Sequence, residues 1–65
     1  MSTYISDAIN PKTKKKQIAL FIDDYFGRHQ YAVAFRKDGN DSEIMDEVSK
    51  ETHEIYRVEE VEKKQ

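Results

Sequence analysis

Residues 42–64, SEIMDEVSKETHEIYRVEEVEKK, decide the fold, because they read in two ways. Ile44, Val48, Ile55 and Val58 fall at helical spacing, with Met45, Thr52 and Val61 nearby. Asp41 or Ser42 can cap the start, and Lys63 and Lys64 sit where a helix dipole favours cations. Asp46 with Lys50, Glu59 with Lys63, and Glu60 with Lys64 make favourable i,i+4 pairs. Against the helix, HEIYRVEEV is rich in β-branched and aromatic residues, and DGND just upstream can turn a hairpin into SEIMDEV. No Gly or Pro separates Glu43 from Lys64, so the reading favours a helix, broken near Thr52.

Upstream, the pattern changes to period two. QIALFID, from Gln17 to Asp23, and HQYAVAFRK, from His29 to Lys37, alternate as strands and should pair as an antiparallel hairpin around Gly27. A weaker strand from about Tyr4 to Ile9 precedes them across NPKT, where Asn10 can bond back to the backbone ahead of a Pro-initiated turn. Gly27 and Gly39 each close an expected turn. The expected fold is therefore α+β: an antiparallel two- or three-stranded meander (about 4–9, 15–23 and 29–37) with a C-terminal helix packed on one face. Ile18, Leu20 and Ile22, with Tyr31, Val33 and Phe35, would meet Ile44, Val48, Ile55 and Val58. The alternative is an all-β small barrel or meander that uses 43–48 and 53–61 as strands.

Sixty-five residues make a single small domain, with loose ends expected at about 1–3 and 62–65. A chain of this size buries only about 60% of the surface it exposes when unfolded, so its core is marginal. It has no cysteine, which excludes disulfides, thiolate metal sites and Cys nucleophiles together. Two histidines are too few for a usual structural zinc site. The longest apolar runs, IALFI and YAVAF, are far short of the ~20 residues that span a bilayer, and the start has no leader-like pattern. A cytoplasmic protein with no membrane partner is expected.

The net charge of −2 conceals a division: residues 1–37 carry +4 and residues 38–65 carry −6. Such polarity can join halves of one chain, join two chains, or present two faces to different partners.

DDYFGRHQY, from Asp23 to Tyr31, resembles an active site in composition only. Adjacent carboxylates on a strand point to opposite faces, His29 can meet only one of them, and a chain this short has little room for a pocket. Catalysis, a cofactor, a metal and a small-molecule substrate are therefore not expected. Tyr56 is read as a core or interface residue.

Two binding readings remain. The first is a non-catalytic interaction module that binds a protein surface, itself included as a homodimer, in the manner of a regulator or inhibitor. Its expected contact is a small apolar face of Phe21, Ala32 and Ala34 with Ala19, edged by Tyr25 and Phe26. Small accessory proteins of phages and plasmids share this profile. The second is nucleic-acid binding through Lys12, Lys14, Lys15 and Lys16, extended by Arg28 and Arg36, with hairpin aromatics as stacking platforms. A variant of the first is imitation of a phosphate backbone by acids such as Glu43, Asp46, Glu47, Glu51 and Glu54.

Overall fold

Successive β-branched and aromatic residues win over helical spacing in the C-terminal third, and the result is an antiparallel sheet. The computed structural model describes residues 3–23 and 31–63, and of Tyr31, Glu62 and Lys63 the backbone alone. The strands are β1 (Thr3–Ile9), β2 (Lys16–Asp23), β3 (Tyr31–Arg36), β4 (His53–Arg57) and β5 (Glu62–Lys63), with a 3₁₀ turn at Val58–Glu60. Four full strands form a meander, and the two-residue β5 returns to the outer side of β1, giving the order β4-β3-β2-β1-β5.

The expected C-terminal helix is absent; the all-β alternative fits, though not in its details. Residues 53–57 do form a strand, but 43–48 is neither helix nor strand. The reason lies in what each arrangement buries. As β4, HEIYR lines up beside β3, and Tyr56 packs edge-on against Phe35 with ring centroids 5.9 Å apart. The chain then turns at the 3₁₀ segment and inserts Val61 into the core. The residues of the supposed helical stripe are not buried together: Ile44 and Ile55 are exposed, and Val48 and Val58 are half-buried. Within the end expected to be loose, Glu62 and Lys63 pair with Ile9 and Ala8.

Register sets the two faces. Phe21 lies opposite Val33, and Leu20 opposite Ala34. The core therefore joins Ala19 and Phe21 of β2 to Val33 and Phe35 of β3, with Ala8 and Val61 closing it. Tyr4 stacks on Phe21 at 5.2 Å. The expected grouping of Ile18, Leu20 and Ile22 with Val33 and Phe35 is corrected, since side chains alternate and a direct pair shares one face. The reverse face carries a four-strand rung, Ile5–Leu20–Ala34–Ile55. Its centre is buried and its two ends, Ile5 and Ile55, are both 43% exposed.

The turn after β1 is held by Asn10, as the sequence suggests. Its side-chain oxygen accepts the N–H groups of Lys12 at 2.9 Å and Thr13 at 3.4 Å. Its amide nitrogen donates to Gln17 at 3.0 Å, and Gln17 in turn donates to the carbonyls of Arg36 and Asn40. This buried amide pair fills the gap where β2 and β3 part company beyond Leu20.

Candidate functional site

Past Arg36 the chain leaves the sheet, and the 37–52 segment crosses its reverse face. Gly39 adopts a φ of +82°, the left-handed conformation glycine accepts freely, and its N–H donates to Arg36 C=O at 3.2 Å. Asp41 and Ser42 then sew the segment to β2: the Ile18 N–H donates to Asp41 Oδ1 at 3.0 Å, and the Ser42 N–H donates to Ile18 C=O at 2.9 Å. Those are the positions where β2 has lost β3 as its neighbour.

The next turn is closed at both ends of one pair. The Asp46 N–H donates to Glu43 C=O at 2.9 Å, and the Glu43 N–H donates to Asp46 Oδ2 at 3.0 Å. Asp46 itself is anchored on the sheet. Arg36 Nη1 lies 3.4 Å from both of its carboxylate oxygens, and His53 Nε2 lies 3.8 Å from Oδ2. Arg36 and His53 are direct partners across β3 and β4, so the sheet register places both below the same carboxylate. Arg36 also takes Asp38 in a fork through Nε and Nη2, at 3.2 and 2.8 Å.

These contacts set the ionisation of the cluster. The Arg36 guanidinium, with help from the Asn40 N–H, holds Asp38 down at about 2. Asp46 is also held below the ordinary carboxylate range, first by the Glu43 N–H, which outweighs the opposing effect of desolvation, and with help from Arg36. The two carboxylates in turn raise Arg36.

His53 Nδ1 is 2.7 Å from Thr52 Oγ1, but Nε2 is buried and makes no hydrogen bond. A general base must reach the proton it removes, and this nitrogen is sealed beneath Asp46. Among the described residues, no group of three His, Asp or Glu side chains is placed to hold a metal.

The turn displays Ile44 and Met45 on the outside, 48% and 87% exposed. Large apolar residues at the tip of a pinned turn are what sequence reasoning missed. The available signal was IM between carboxylates at 43 and 46, following a Gly-Asn-Asp-Ser run, and it was absorbed into the helical pattern.

The expected apolar contact face does not assemble. Phe21 and Ala34 have no exposed surface, and Phe21 points into the core whereas Ala32 and Ala34 point to the reverse face. Tyr25 and Phe26 lie outside the described residues, as does Arg28. Of the expected cations, Lys12 lies 3.7 Å from Glu54, and Lys16 lies 4.0 Å from Asp7. Lys14 is held at a φ of +63°, and Lys15 is exposed beside it. Lys12 and Arg36 do converge, with Lys37, on a cavity of about 140 Å³ that also contains Glu54.

The outer edge of β4 is partly blunted. The Lys37 N–H donates to Thr52 C=O, so the alternation along the pair turns the N–H groups of His53, Ile55 and Arg57 outward. The first goes to Ser49 C=O at 2.9 Å and the last to Glu60 Oε2 at 3.4 Å. Of these three donors, only the Ile55 N–H has no partner among the described residues and is left to template a further strand.

No helix among the described residues is long and apolar enough to cross a membrane. Comparison with known proteins gives no match to a family model, to a curated protein or to a solved structure.

Proposed function

We propose that this protein is a non-catalytic binding module that acts by occupying a protein surface, with the 37–52 segment as its contact. The observation that carries this reading is the exposure of Ile44 and Met45 on a turn fixed by Glu43, Asp46 and Arg36. An exposed apolar pair costs solubility unless something covers it, and a fixed turn loses little conformational freedom when covered. This moves the expected contact away from Phe21, whose burial commits it to the core. The buried Nε2 of His53 supports the non-catalytic part.

A second reading, binding of nucleic acid, draws support from the meeting of Lys12, Arg36 and Lys37 around one cavity. Two features weigh against it: the guanidinium is already shared by Asp38 and Asp46, and Glu54 stands beside Lys12.

The test immobilises the full chain and an Ile44→Asp/Met45→Asp variant, exposes both to source lysate with and without nuclease, and identifies what each retains. A defined protein that survives nuclease and is lost by the variant supports the proposal. Retention abolished by nuclease supports the second reading instead, and equal retention by both chains places the contact elsewhere.

A further inference from the structure

The charges around the turn describe its partner. Resting on the reading that the chain binds a protein, we infer that the Ile44/Met45 tip inserts into an apolar pocket whose rim is cationic.

Asp46, inside the turn, is neutralised by Arg36, and Asp41 is spent on the Ile18 N–H. Glu43 and Glu47 are exposed on either side of the tip and form no ion pair among the described residues. The tip is thus an apolar pair bracketed by two carboxylates, with the exposed Lys50 and Glu51 adjacent further along the same segment. A pocket that buries Met45 brings its own rim within reach of Glu43 and Glu47, so acids there would be repelled and Lys or Arg attracted. Methionine suits such an insertion, being unbranched and able to fit an irregular pocket, while the closed turn limits the ordering cost to side chains.

A second copy of this chain is the competing occupant. Its Lys12 and Lys16 already face Glu54 and Asp7, and its Arg36 is taken by Asp38 and Asp46. Its Lys14, Lys15, Lys37 and Lys50 are exposed and form no ion pair among the described residues, so the crosslinked peptide decides between a copy and another protein.

The experiment places a photo-crosslinking side chain at position 45 of the full chain, irradiates it in source lysate, and sequences the crosslinked peptide. Affinity for the protein so identified is then measured for wild type and for Glu43→Lys/Glu47→Lys across a salt series. The inference expects a peptide of apolar residues flanked by Lys or Arg. It also expects the charge reversal to weaken binding by about 10-fold or more at low salt, the loss narrowing as salt rises. An acidic rim, crosslinking to a second copy, or an affinity unchanged by charge reversal overturns it while leaving protein binding intact. Absence of any protein crosslink and of any protein retained by the wild-type chain overturns both.

Discussion

Glu43 and Asp46 hold each other through two hydrogen bonds, one from each backbone N–H, the second ending on the Asp46 carboxylate. That carboxylate also rests on Arg36 and lies beside His53, so the tip between them is fixed to the sheet by one side chain. Asp46→Ala should release the tip without touching the core. Amide exchange should then accelerate at Glu43 and Asp46 and stay slow in β2 and β3; uniform acceleration would mean the carboxylate supports the whole fold.

Phe21 and Met45 should respond oppositely to substitution. Phe21→Ala removes a fully buried ring and should cost about 3–5 kcal/mol. A chain of this size holds only about 3–10 kcal/mol in all, so that loss leaves it barely folded. Met45→Asp, at 87% exposure, should stay within about 0.5 kcal/mol of wild type. Urea titrations of both variants decide the point, and equal destabilisation would refute the assigned register.

The two left-handed positions among the described residues predict effects of opposite sign. Gly39→Ala meets no atom within 4 Å, so its expected loss of about 1 kcal/mol comes from backbone strain alone. Lys14→Gly relieves a non-glycine φ of +63° and should raise the thermal midpoint slightly, the gain limited by the extra freedom glycine has when unfolded.

Acid should weaken the fold in a defined window. Asp38 and Asp46 are both held below their unfolded values, so their contribution is fully present above about pH 4 and is lost as pH falls toward 2. Asp38→Asn/Asp46→Asn should be less stable than wild type at pH 7, and the two curves should converge on acidification. Parallel curves throughout would contradict the ion-pair assignment.

The strands from 16 to 23 and 31 to 36 were legible because short apolar runs rich in β-branched and aromatic residues, bounded by turn signals, read as buried strands. The face each strand buries was not. Both faces of β2 are apolar, so only the pairing of Phe21 with Val33 tells them apart, and that depends on the connection through 24–30. The C-terminal third misled because Ile44, Val48, Ile55 and Val58 satisfy a helical period by coincidence. The decisive term is non-local: β3 offers an open edge, and Tyr56 and Val61 find Phe35 and the core only if the chain runs as a strand. The site was illegible for the same reason, since Arg36, Asp46 and His53 meet only once that strand is in place.

The turn between Glu43 and Asp46, held ready by the fold, is the proposed contact for a protein partner. Its most direct test measures the affinity of the identified partner for wild type and for Met45→Asp, with thermal midpoints recorded alongside. Met45→Asp should lose at least about 10-fold in affinity at an unchanged midpoint, the mark of an anchoring residue. Equal affinities at equal midpoints would show that the Ile44/Met45 turn is not the contact.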